Sequence, residues 1–280
     1  MNQLNFLFNW VVCYDNRPEL SFRISCMGKG MLRRAVEFIR AVPFARRTVN
    51  TLRGRRLHRS EIKLEDRFVG SSYGGWSVDI AKLGKDSIVY SFGVGEDLSF
   101  DLELLSLVAC EIYAFDPTPI AIDWVLKQSL PSALKFIPVG VAGIDGQVEF
   151  HVPPIVGWHS YSLAPERNAL QTGTIYCQVK RVSTLMSELG HHYIDLLKLD
   201  VEGFEYDVLH AMIADKIRPR FLLVEFHHTI YGISRRRTLS MVRQLRDYGY
   251  LIYWVSDGGH EYGFIDAVSM RDPLSPHRQT

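Results

Sequence analysis

The chain has 280 residues, 47% of them hydrophobic, and a formal net charge of +1. That is enough apolar material for one large core, or one core with a small extension, and no segment approaches the roughly 18 apolar residues of a membrane span. The cysteines Cys13, Cys26, Cys110 and Cys177 form no C-x-x-C pair, which argues against a zinc site or a disulfide framework and makes a reducing cytoplasm the expected compartment.

The near-neutral total conceals an asymmetry. Residues 1–70 carry 14 Lys and Arg against 6 Asp and Glu, which leaves 18 against 25 for the remainder. The apolar stretch from Phe6 to Val12 is interrupted by Asn9 and has neither a basic leader nor a small-residue cleavage site, so it makes a poor signal peptide. From Met31, residues Leu32, Ala35, Val36, Ile39 and Val42 recur at helical spacing with Arg33, Arg34, Glu37 and Arg40 on the other face. Pro43 ends or kinks that helix, and a second basic stretch runs on to Arg59. Two readings of this basic, partly helical extension, residues 1–67, stay open. It is a solvated cationic face packed on the main domain, or residues 29–59 dock on an anionic membrane surface or an acidic partner, with nucleic acid a weaker candidate. Docking of that kind would make a cytoplasmic protein peripheral to a membrane. Met27 and Met31 leave the start codon open as well.

The body, residues 68–280, begins where short apolar runs start to alternate with helical stretches. The pattern predicts strands over residues 87–92, 111–116, 134–141, 194–200 and 221–226, and helices over 98–109, 119–130, 204–214 and 236–248. Strands over 250–256 and 260–268 flank Asp257-Gly258-Gly259, a hairpin signal. The expected fold is therefore α/β: a doubly wound, mostly parallel sheet of about seven strands with a C-terminal antiparallel hairpin, preceded by the basic helical extension.

The first strand feeds Phe92-Gly93-Val94-Gly95-Glu96-Asp97 and then a helix. Bare glycines let a ligand approach the backbone, and a helix N-terminus favours a negative group. Leu98 stands where a dinucleotide fingerprint would have its third glycine, which counts against a pyrophosphate ligand. Twenty-one residues beyond Gly95 the next strand ends in Asp116, whose carboxylate can accept hydrogen bonds from both ribose hydroxyls of a nucleoside, or can merely cap the helix that follows. The segment Ile194-Asp195-Leu196-Leu197-Lys198-Leu199-Asp200-Val201-Glu202-Gly203-Phe204-Glu205 sets one lysine and three acids about a strand's carboxyl end, where open α/β sheets bind ligands. A structural reading, with Asp200 capping the helix and Lys198 paired to an acid, stands beside the functional one.

That segment resembles the signature of the FkbM family of S-adenosylmethionine-dependent methyltransferases, and the resemblance extends from about Phe68 to Val268. It includes Tyr73-Gly74-Gly75-Trp76, Asp145-Gly146, Ser160-Tyr161-Ser162-Leu163 and Glu225-Phe226-His227. The resemblance implies a class I fold with S-adenosylmethionine as cofactor. Gly93 and Gly95 would line the methionine part, Asp116 would hold the ribose, Val141 and Ala142 would border the adenine, and Asp200 would lie near the sulfonium, with Tyr73, Gly74, Phe92, Val94 and Asp97 in the same cofactor site. Ser91 departs from the family pattern, where many members carry an acid; Glu96 or Asp97 is a candidate to supply that charge.

Methyl transfer to a hydroxyl requires a base. His227 is the first candidate, since an imidazole titrates near neutrality, with His228, Asp200 and Glu225 as competitors and Lys198 as an orienting cation. Three acids around one strand end could also bind a divalent ion or pair with Lys198; no metal is assigned. Residues 153–172, with Trp158, His159, Tyr161 and Arg167, suit an acceptor lid or an ordinary surface excursion. The expected activity is methylation of a hydroxyl on a sugar, polyketide or other small metabolite, the partner being a small-molecule or glycan acceptor. The alternatives are a nucleotide-dependent oxidoreductase or sugar-nucleotide enzyme, and a non-catalytic cofactor-binding module docking through its basic front.

Overall fold

The computed structural model describes residues 57–151, 173–228 and 232–270. The chain divides between residues 49 and 50 into two units, and every described residue belongs to the second. The helix expected after Met31, most of the basic stretch to Arg59 and the loop over 153–172 lie outside the described residues.

Two short strands, β1 (Arg67–Val69) and β2 (Trp76–Val78), pair antiparallel at the entry to the domain. Then follow β3 (Ile88–Phe92), α1 (Ser99–Val108), β4 (Glu111–Phe115), α2 (Pro119–Val125) and β5 (Leu134–Ile137). A small sheet comes next, made of β6 (Gly140–Val141), β7 (Gly146–His151) and β8 (Thr174–Lys180), in the order β6-β8-β7. The chain continues through α3 (Val182–Leu189), β9 (Leu196–Leu199), α4 (Glu205–Ala214), β10 (Phe221–Glu225), α5 (Arg235–Asp247), β11 (Tyr250–Val255) and β12 (Glu261–Asp266).

Among the described residues the main sheet has seven strands in the order β11-β12-β10-β9-β3-β4-β5. β12 runs antiparallel to β10 and β11, and the pairs from β10 to β5 are parallel. The fold is the expected doubly wound α/β sheet with its terminal hairpin. Both faces are apolar because alternate residues of each central strand serve different cores. Phe92, Phe115, Leu199 and Val224 join Tyr206 of α4 and Leu245 of α5 on one face. Val89, Ala114, Leu196 and Leu223 join Phe100 and Leu104 of α1 on the other. Strand order reverses between β3 and β9, and it is beyond the carboxyl ends of strands at such a switch point that open sheets leave a crevice.

Two expected elements differ in extent. The strand expected over 134–141 is split, because Pro138 has no N–H to donate: β5 stays in the main sheet, while β6 pairs with β8. The helix expected over 119–130 ends at Val125. The β7–β8 pair and α3 had no counterpart in the sequence reading; β8 mixes polar with apolar residues and buries only Cys177 and Val179.

The domain is tied together before its first strand. The Glu61 and Ile62 amides both donate to the Ile252 carbonyl of β11, and the Ile252 amide donates back to the Glu61 carboxylate at 2.8 Å. Arg246 of α5 lies 2.9 Å from that same carboxylate. We expect Glu61→Ala to lower stability by about 1–3 kcal/mol, the cost of stranding these donors, as measured by chemical denaturation. An unchanged denaturation midpoint would mean that the clasp is passive.

Candidate functional site

A cavity of about 300 Å³ opens beyond the carboxyl ends of β3, β4 and β9. Its wall contains Tyr73, Gly74, Phe92, Gly93, Val94, Gly95, Asp97, Asp116, Val141, Lys198 and Asp200, eleven of the residues singled out from the sequence. Ala142 and His227 are buried but outside the wall, and the half-buried Glu225 is outside it too.

The glycine turn is built by close approach. A β-carbon on Gly93 would lie 1.7 Å from the Asp200 carbonyl oxygen, and its φ of +83° already favours glycine. Gly95, at φ +53°, has nothing within 4 Å of where a β-carbon would project, so its bare backbone faces room for a ligand. The turn is fastened from three sides. Lys198 Nζ donates to the Gly93 carbonyl at 3.1 Å, Asp116 accepts the Gly95 amide at 2.9 Å, and Asp97 accepts the Ser71 hydroxyl at 2.8 Å and the Ser99 amide at 2.7 Å. Asp116 also accepts the amide and hydroxyl of Thr118, so it joins the glycine turn to the start of α2. The hydrogen bonds to Ser99 and Ser71 hold the Asp97 carboxyl below its usual range against the opposing effect of burial.

At the ends of β9 and β10 the fold collects charge. His227 is 3% exposed, its Nε2 is 3.1 Å from Glu202 and 3.9 Å from Glu225, and its Nδ1 is 3.5 Å from Glu205. Glu205 is fully buried and accepts the backbone amides of His227 and Gly203, which locks the start of α4 to the end of β10. Burial alone would lower the His227 pKa, but Glu202 and Glu205 raise it well above 6.5. The imidazole is therefore held protonated near neutrality, and an imidazolium has no lone pair with which to take a proton. The environment of His227 thus runs against the base role read for it from sequence, where the carboxylates around it could not be placed. His228 is fully buried and stacks on His260 at 4.5 Å, also outside the cavity wall.

Asp200 and Glu225 act on one another's proton affinity. Burial raises Asp200, partly offset by Lys198, whose Nζ is 4.0 Å away. Burial and the Asp200 charge together push Glu225 well above the usual carboxylate range. Asp200, Glu202 and His227 also bring ligand atoms within 4.8 Å of one another, a spacing that one divalent cation could bridge.

Apart from Phe92, the sequence reading missed the stacked phenylalanines of this site. Phe92 stacks on Phe115 at 4.6 Å, and Phe150 of β7 stacks on Phe204 at 4.9 Å; all four are in the wall. It also missed Asp101, which in sequence looks like an ordinary solvated helix acid. The period of α1, with Phe100 and Leu104 facing the core, was the available signal.

Residues 90–252 match the family described as the methyltransferase FkbM domain. The chain belongs to the FkbM methyltransferase family. A probable methyltransferase-like protein 24 from Rattus norvegicus is 24% identical over 146 residues, which span 51% of this chain and 33% of that protein, so the chain covers about a third of the relative's length. A crystal structure of Aeropyrum pernix fibrillarin with natively bound S-adenosylmethionine aligns at a TM-score of 0.36 and 11% identity, covering 75% of this chain and 85% of that one. The cavity residues fit S-adenosylmethionine, the cofactor that the family resemblance implies. Gly95 leaves open space at the backbone, and a buried oxygen of Asp101 in the wall lacks a hydrogen-bond partner among the described residues. No described helix is long and apolar enough to cross a membrane.

Two predictions follow from this geometry. Gly93→Ala should prevent folding, because a backbone atom rather than a flexible side chain occupies the β-carbon position. Gly95→Ala should cost only about 1 kcal/mol of stability yet weaken S-adenosylmethionine about tenfold or more, since the new methyl enters the cavity. Denaturation and calorimetry read the two effects, and equal behaviour of the two variants would contradict the contrast. His227 gives a pH signature. With its folded pKa above 6.5, its contribution is complete below about pH 6.5 and is lost as the pH climbs through the raised folded value. The Tm gap between the parent and His227→Gln should therefore be largest near pH 6 and narrow towards about pH 9. A gap that stays flat across that range would mean a neutral His227.

Proposed function

We propose that this FkbM methyltransferase methylates a hydroxyl group of a small polar acceptor, such as a sugar or polyketide, with Asp200 and Glu225 acting as the proton-accepting pair. The observation that carries the reading is a partly buried carboxylate pair of raised proton affinity at the rim of the cofactor cavity. An alcohol is a poor nucleophile until its proton has somewhere to go, and a carboxylate lifted towards neutrality is better matched to that task than an ordinary one. When bound, S-adenosylmethionine supplies an electrophilic methyl group on a sulfonium.

The chain's own residues divide the remaining work. Gly93 and Gly95 leave the backbone bare, the Asp116 oxygen that accepts the Gly95 amide keeps a second lone pair for a ribose hydroxyl, and Val141, Phe150 and Phe204 offer apolar surface for a base. Asp200 stands in the wall and can accept the acceptor's proton, Glu225 shares the charge, and Lys198 steadies the ionised form. His227, held by Glu202 and Glu205, fixes the end of β10 and so the position of Glu225.

The test is turnover with labelled S-adenosylmethionine against a panel of hydroxylated, amino and thiol acceptors, with the product examined for the methylated atom. Asp200→Asn and Glu225→Gln should each lower turnover on the hydroxyl acceptor by about 10²–10⁴-fold. Activity of the parent should rise with pH as the raised carboxylate pair loses protons, and that limb should be absent from the residual activity of Asp200→Asn. Methylation of nitrogen or sulfur alone, or an unaltered pH limb in the variant, would overturn the reading.

A further inference from the structure

One carboxylate in the cavity wall is not spent on the fold. Asp101 lies in the first turn of α1, is 2% exposed, and its Oδ1 has no hydrogen-bond partner among the described residues. The neighbouring acids are otherwise engaged. Both oxygens of Asp97 hold the glycine turn and the start of α1, and both oxygens of Asp116 accept from Gly95 and Thr118. Glu96 is exposed.

The surroundings of Asp101 are built for charge. Ser91 of β3 pairs in register with Lys198 of β9, so both side chains rise from the same sheet face, beneath Asp101. Burial raises the proton affinity of the Asp101 carboxyl above its usual range, and the Lys198 charge and the Ser91 hydroxyl offset this only in part. Lys198 already donates to the Gly93 carbonyl and lies 4.0 Å from Asp200. A buried carboxylate oxygen without a donor is costly to ionise, and that cost is recovered when a cationic N–H group reaches it. Of the two cationic centres of S-adenosylmethionine, the sulfonium has no N–H. The α-ammonium has three.

We propose that Asp101, supported by Ser91, is the receptor for the α-ammonium group of S-adenosylmethionine, so that α1 supplies from the next element the charge that Ser91 itself lacks. The inference rests on the cofactor reading above. It assigns Asp101 as a binding residue for the amino-acid end, distinct from a mere counterion for Lys198.

The two roles separate by calorimetry with S-adenosylmethionine and with 5′-methylthioadenosine, which keeps the nucleoside and lacks the amino-acid end. Asp101→Asn should weaken S-adenosylmethionine about 10–150-fold, the range for a hydrogen bond to a charged group, and 5′-methylthioadenosine by less than about twofold. Adding Ser91→Asp to Asp101→Asn should recover most of the lost affinity. Equal losses for both ligands, or no loss for either, would overturn the proposal. If Asp101→Asn does not fold, the exchange of Ser91→Asp with Asp101→Ser keeps one carboxylate in the pair. Retained preference for S-adenosylmethionine over 5′-methylthioadenosine then supports the inference, and loss of that preference overturns it. A parent protein that binds neither ligand would sink the cofactor reading itself, a different result from a parent that binds both and a variant that does not discriminate.

Discussion

The ends of β3 and β9 pass so close together that no side chain can stand between them. At Gly93 the position of a β-carbon is taken by the Asp200 carbonyl, and Lys198, two residues before Asp200, reaches across to hold the Gly93 carbonyl. This contact joins two segments more than a hundred residues apart in sequence and sets the depth of the cavity floor. It also fixes which side chains can reach the ligand. Asp200 must stand at the rim because its backbone is packed on the turn, and Lys198 must lie beneath because its neighbours Leu197 and Leu199 belong to the opposite face.

From that junction the charges sort themselves by burial. Glu205, fully enclosed, spends its oxygens on two backbone amides and is structural. Glu202 and Glu205 together hold His227 as a cation, which keeps the end of β10 in place at the cost of its usefulness as a base. What remains beside the cavity is a carboxylate pair that disfavours being fully ionised. Such a pair suits the proposed reaction, in which the methyl donor is a cation and the acceptor gives up a proton, because both relieve the same electrostatic strain. Asp101 extends this logic to the α1 side of the sheet, where the Lys198 charge offsets part of the burial cost of Asp101 as it does for Asp200.

Much of this was legible in the chain. The strand cores are continuous apolar runs because both sheet faces are covered, and the β3 turn announces itself by two glycines at the end of such a run. The Asp116 spacing is local to one βαβ unit, so the distance along the chain fixes the distance in space. Lys198 and Asp200 were visible because charge at the end of a buried strand demands an explanation. The aromatic wall was not visible, since Phe150 and Phe204 come from elements that meet only after β7 folds over the sheet.

Sequence by itself therefore determined the order of the main elements, the doubly wound sheet with its hairpin, the family and the glycine and acid positions that line the cavity, all of which depend on short-range pattern. Tertiary structure decided the protonation and purpose of the ionisable groups. His227 became a buried cation because Glu202 and Glu205 converge on it from another loop and helix, Asp101 became a wall residue because α1 turns it inward over Ser91, and Pro138 sent β6 into a second sheet. The reason is that a side chain's charge state depends on its desolvation and on neighbours brought near by folding, and neither quantity is written in the spacing of residues along a chain.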